Sequence, residues 1–169
     1  MINLEVVPEF YRGYVSNVKD KSIVVQLIQE GDDTLSIFKR LSPQQVEYRY
    51  AEGKWAVKEL LAHMIDAERV FAYRALCFAR NEKKILHGFD EEMYSKEMNI
   101  QNRSILQLIN EFANVRASTV DLFTGFSDEM LKREGNVDTN KMSVEMLGYI
   151  IIGHEIHHKR VLKEKYEIA

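Results

Sequence analysis

A chain of 169 residues, 46% hydrophobic and 29% charged, has the size and composition of one soluble globular domain over residues 1–169. Its net charge of −3 gives no reason to expect a nucleic-acid partner, and its longest apolar run near the C-terminus, Leu147–Ile152, is far too short to span a membrane. No basic stretch precedes an apolar one at the N-terminus, and the single cysteine, Cys77, cannot form an internal disulfide, so a cytoplasmic protein is expected.

Four stretches carry the 3.6-residue period of amphipathic helices. The first runs from Val18 to Leu41, with Val24, Leu27, Ile28, Leu35 and Phe38 on one side and Pro43 as its stop. The second covers Val57 to Arg80. The third opens at Ser104, where Ser104 and Gln107 have the spacing of a capping box, and ends at Gly125 as C-cap. The fourth runs from Ser143 to Tyr166. A connection from Asn81 to Arg103, with room for a short helix near Asp90, is long enough for a crossover. These elements predict an all-α four-helix bundle with one long crossover connection.

The last stretch contains His154-Glu155-Ile156-His157-His158, an H-E-x-x-H sequence. Residues turn by ~100° each along a helix. Leu147, Ile150, Ile151, His154, His158 and Val161 then share one stripe about 100° wide. His157 falls at its edge, and Glu155 about 100° to the other side. On the second helix Ala56, Leu60, His63, Ala67 and Val70 share a stripe, so His63 also faces inward. Buried imidazoles without partners are costly, and a divalent cation held by His63, His154 and His158 relieves that cost. Satisfied core histidines are the competing explanation.

Metalloproteases with H-E-x-x-H take a third ligand downstream. Here the positions three and six beyond His158 are Val161 and Glu164, and only eleven residues follow His158. One Glu155-x-x-His158 motif is too few for a di-iron bundle. Asp66, Glu59 and Glu155 are candidates to orient the ligands, with a solvated helix face as the simpler assignment for each. Trp55 and Tyr73 could line a pocket mouth. Arg74 lies on the His63 stripe and needs an acidic partner or an anionic ligand, a structural salt bridge being the simpler choice. His87, beside Gly88, reads as an exposed loop histidine. Cys77 reads as a small core residue, fourteen residues from His63 and so about 21 Å along the helix.

Several segments resemble the DinB-like superfamily of metal-binding four-helix bundles. "GKWAVKELLAHMIDAERVFAYRALCFAR" is similar to its Trp-x-hydrophobic-x-Glu-hydrophobic-x-x-His helix, "ILHGFDEEMY" to its middle loop and "MSVEMLGYIIIGHEIHHKRVLKEKY" to its closing helix. With "VPEFYRGYV" and "LSPQQVEYRYAEGKW" the likeness covers nearly the whole chain. One departure is Ala56, where the family has a serine as helix N-cap. The resemblance implies one divalent ion, zinc or nickel, on His63, His154 and His158. It also implies a metal-dependent enzyme that activates a low-molecular-weight thiol for S-transfer to a small electrophile, with a small-molecule thiol or electrophile as partner. Hydrolysis by metal-activated water and a non-catalytic, metal-stapled dimeric binding protein are the alternatives. A homodimer is expected from the family. Gly148 and Gly153, inside the fourth helix, permit close approach of another helix from this chain or a second subunit.

Overall fold

The computed structural model describes residues 3–19 and 21–168. Four long helices form the bundle: α2 (Ile23–Lys39), α4 (Val57–Ala79), α6 (Ile105–Thr124) and α8 (Val144–Lys165). Short elements fill the connections: α1 (Glu9–Val15), α3 (Pro43–Glu47), α5 (Glu91–Glu97), α7 (Asp128–Leu131), β1 (Glu134–Val137) and β2 (Asn140–Ser143). Among the described residues no helix is long and apolar enough to cross a membrane.

The expected first helix begins later than its periodicity suggests. The Gln26 side chain accepts from the Lys19 amide and donates to the Lys21 carbonyl, bonds that hold these two residues outside the helix. Ile28 faces solvent, whereas Leu27 and Phe38 are buried. Helix α2 stops before Pro43. That proline instead occupies the first turn of α3, behind a capping box made by Ser42 and Gln45. The Ser104–Gln107 capping box is present, and Gly125 caps α6 in a right-handed conformation that makes no special demand for glycine. Asp90 caps α5, placing the short helix where the middle connection leaves room for it.

Two core clusters, one at each end of the bundle, reveal its direction. Ile23 and Leu27, the Phe71–Ala79 half of α4, Phe123 and the first half of α8 share one cluster. Phe38, the Val57–Ile65 half of α4, the first half of α6 and Leu162 share the other. Helices α2 and α8 therefore run one way, and α4 and α6 the other. Two parallel neighbours cannot be joined by a tight turn, so residues 81–103 carry the chain back along the bundle. On the way Leu86 forms a parallel bridge with Val137 of the β1–β2 hairpin. Gly135 is needed in that hairpin because a Cβ there would lie 2.1 Å from the Phe78 ring.

Helix α8 packs against α1, α2 and α4 together. Its stretch Met146–Glu155 is buried all round, so a single apolar stripe understates its burial. A Cβ on Gly153 would lie 2.3 Å from the Tyr14 carbonyl oxygen of α1, and one on Gly148 would meet Phe123 and Ile23. Both glycines thus admit elements of this same chain.

Candidate metal centre

His63 projects from α4 and His154 and His158 from α8, and the three side chains meet between these antiparallel helices. His154 Nε2 lies 3.0 Å from His63 Nε2 and 3.0 Å from His158 Nε2. Each histidine offers one ligand atom to a group in which all atoms lie within 4.8 Å of one another. All three residues are buried, and among the described residues no further histidine, cysteine or carboxylate joins the group.

This arrangement fits a divalent cation. Ligating nitrogens at about 2.1 Å in tetrahedral geometry stand about 3.4 Å apart, close to the observed separations. One ring nitrogen of His154 faces two others, so its single proton or lone pair satisfies at most one of them fully. Burial drives the His63 ring down to about 4 and holds His154 and His158 well below the ordinary histidine range, with neighbouring rings adding to the effect. The imidazoles are therefore neutral near pH 7, the protonation state a ligand needs. The buried Nδ1 of His158 has no hydrogen-bond partner among the described residues, which supply no orienting bond of the kind common for ligating histidines there.

The proposed orienting acids lie elsewhere. Glu59 makes paired bonds of 2.6 Å to Arg49 and accepts from the Ala56 amide. It thereby supplies half a capping box at the residue where a serine side chain is missing. Asp66 pairs loosely with Arg69 at 3.6 Å. Glu155, for which a solvated face was the simpler expectation, is instead buried. It accepts from Thr34 Oγ1 at 2.5 Å and lies 2.7 Å from Arg116 Nη2. Arg116 also grips Glu68 through two bonds of 2.9 and 2.8 Å and donates to the Leu27 carbonyl. Burial, the largest influence, raises the Glu155 carboxyl, with Arg116 and Thr34 opposing. Burial also works against the Arg116 charge, but Glu155 and Glu68 hold it well above its ordinary value. Glu155 thus anchors α8 to α2, α4 and α6 one residue from His154.

Arg74 is buried, and no acidic side chain pairs with it among the described residues. Its Nη2 donates to the His87 carbonyl, its guanidinium lies 5.6 Å from the Phe71 ring centre, and its Nη1 has no hydrogen-bond partner among the described residues. His87 is exposed, His157 is half-buried, and Cys77 sits half-buried beside the core. Tyr73 is 58% exposed and lines neither cleft at the metal centre.

Two clefts, of about 760 Å³ and 580 Å³, meet at Trp55 and His158, which line both. The Trp55 ring lies 4.7 Å from that of His63, and its carbonyl accepts from the Tyr166 hydroxyl. The larger cleft also exposes His63 and His154 and is walled by Tyr11, Tyr14, Phe71 and Phe89. Tyr14 stands edge-on to His154 at 5.5 Å. Periodicity gave no role to Tyr11 or Tyr14. The available signal was the aromatic run "FYRGY", in a helix of seven residues too short to show a period.

No curated protein matches the chain. Solved structures do. YfiT from Bacillus subtilis, described as a probable metal-dependent hydrolase with an unusual four-helix bundle topology, is 17% identical over 90% of this chain and 93% of its own, with a TM-score of 0.71. The DinB-like protein YjoA from Bacillus subtilis is 19% identical over 87% of this chain and 90% of its own, with a TM-score of 0.62. At these identities the likeness establishes the fold. Residues 26–162, which include all three clustered histidines, match the family model of the DinB superfamily. With that match over most of its length, the chain belongs to the DinB superfamily.

Proposed function

We propose that the chain holds one divalent metal ion, zinc or nickel, on the Nε2 atoms of His63, His154 and His158, and catalyses transfer of a small thiol to a small electrophile. The observation that carries this reading is the convergence of three neutral imidazoles at the junction of two clefts. Bound there, a divalent cation would lower the pKa of a coordinated thiol or water and so favour the ionised nucleophile.

The chain's own residues supply the rest. Two clefts that share Trp55 and His158 can bring two reactants together, which a transfer between molecules requires. Cys77 lines neither cleft, so the nucleophilic sulfur comes from a substrate. That sulfur forms the new bond to the electrophile, the displaced group leaves with its electron pair, and the thiol proton passes to solvent. Tyr11 and Tyr14, whose hydroxyls burial pushes above the ordinary phenol range, stay protonated and serve as hydrogen-bond donors. The absence of a fourth protein ligand among the described residues favours an enzyme over a metal-stapled binding protein. The single cysteine and the family likeness support a cytoplasmic homodimer as its setting.

Hydrolysis is the second reading, favoured by the description of YfiT as a probable metal-dependent hydrolase. The experiment is a panel of electrophiles offered to metal-loaded protein with several low-molecular-weight thiols, with His154→Ala in parallel. Thiol-dependent turnover that vanishes in the variant is expected. Turnover that needs no thiol but vanishes in the variant would replace transfer with hydrolysis. A panel that a related enzyme processes and this protein does not would move the assignment to binding.

A further inference from the structure

We propose that the larger cleft recognises a small cationic molecule, an amine or quaternary ammonium, and that this charge marks the substrate that enters there. The cleft has an aromatic wall made by Phe10, Tyr11, Tyr14, Phe71 and Phe89, with Trp55 beside His63. Phe10 lies 5.0 Å from Tyr11 and 6.0 Å from Tyr14 between ring centres, yet 65% of it remains exposed. The same cleft is lined by three carboxylates, Glu9, Glu91 and Asp138, and by no lysine or arginine. None of the three forms an ion pair among the described residues.

The carboxylates alone would be an ordinary solvated rim. Around a concave aromatic wall they complete the two terms that recognise an ammonium group: attraction to ring faces and a compensating negative charge. Although burial is the main cause of the raised phenols, the Glu91 charge reaches both tyrosines and the Asp138 charge reaches Tyr11. Arg74 opposes this at Tyr11, but it stands outside the cleft lining.

The second cleft has the opposite tendency. It is lined by Lys54 and Lys96, neither in an ion pair among the described residues, against one likewise unpaired acid, Glu92, while its Glu59 is already taken by Arg49. The charges thus sort the two clefts, directing a cation to the first. The three histidines lie within that cleft, whereas Glu9, Asp138 and Glu91 come from the start of α1, the hairpin turn and the start of α5. A molecule bound with its ammonium group among these elements would extend its other end toward the histidines.

That the ligand is a substrate rests on the proposed metal-dependent activity; that it binds does not. Trp55 is the only tryptophan and lines the cleft, so its fluorescence reports directly on occupancy. Choline and its uncharged isostere 3,3-dimethylbutan-1-ol are titrated at low salt into the full chain, metal-free and zinc-loaded. Choline should quench Trp55 saturably and bind about tenfold tighter than the isostere in the metal-free protein. Glu91→Gln and Asp138→Asn should each weaken choline several-fold and leave the isostere unchanged, whereas Lys96→Gln should not weaken choline. Equal affinity for the two probes would overturn the proposal. So would quenching no greater than that of free indole, or unchanged choline affinity in the Glu91→Gln/Asp138→Asn double variant. A missing metal and a missing ammonium preference are separate results in this design.

Discussion

Replacing Arg116 by methionine tests what fixes α8 against the rest of the bundle. The substitution keeps much of the side-chain length and removes the charge. Two buried carboxylates, Glu68 and Glu155, then lose their shared cation, and the Leu27 carbonyl loses a donor. Removing one partner from a buried ion pair costs about 3–5 kcal/mol, because the remaining charge stays desolvated. For a chain of this length that lowers the melting temperature by roughly 6–20 °C. The loss has a pH signature. Without Arg116 the Glu155 carboxyl, already raised, moves further up, so the folded variant binds a proton that the unfolded chain releases. The variant should therefore regain stability as the pH falls through that raised value, with a deficit about 1–2 kcal/mol smaller at pH 5 than at pH 8. Urea denaturation followed by circular dichroism at the two pH values measures this. A loss below about 1 kcal/mol at pH 8, or an equal loss at both, would refute the reasoning. The triple change Glu68→Leu/Arg116→Met/Glu155→Leu, which leaves no unpaired charge, should stay within about 2 kcal/mol of the parent.

Gly153→Ala should destabilise by about 1–3 kcal/mol, measured by the same denaturation, because its Cβ meets backbone rather than a movable side chain. Ala56→Ser should stabilise by about 1 kcal/mol by completing the cap of α4, read as a rise in melting temperature of roughly 2–4 °C. Metal-free protein should lose stability as the pH falls from 6.5 towards 4. Across that window the unfolded histidines take up protons that the buried rings refuse, and His63 alone, held at about 4, contributes a loss on the order of 3 kcal/mol. Stability that stays flat across this window would contradict the burial of neutral rings.

Much of the bundle was legible because long amphipathic helices write their burial into a regular period. The same period aligned His154 with His158 on α8 and turned His63 inward on α4, and the structure brings these three together. The limit of that reasoning shows at Glu155. An angle of about 100° from the stripe suggests solvent only if the helix has one packed face, and α8 has α1, α2 and α4 around it. Its partner Arg116 lies on another helix and 39 positions earlier, and no local pattern pairs two such residues. Helix α1 and the β1–β2 hairpin are too short to show a period, although they supply much of the larger cleft. Arg74 is the buried cation its stripe implies, but in place of the expected salt bridge its Nη2 donates to a loop carbonyl, an acceptor that no residue type encodes.

Metal analysis of protein purified without chelator and without a histidine tag tests the central claim most directly. The account predicts about one divalent ion per chain. It also predicts loss of that ion in His63→Ala, His154→Ala and His158→Ala, each still folded by circular dichroism, and its retention in His157→Ala and His87→Ala. Metal retained in folded variants of all three clustered histidines, or lost equally at His157, would contradict it.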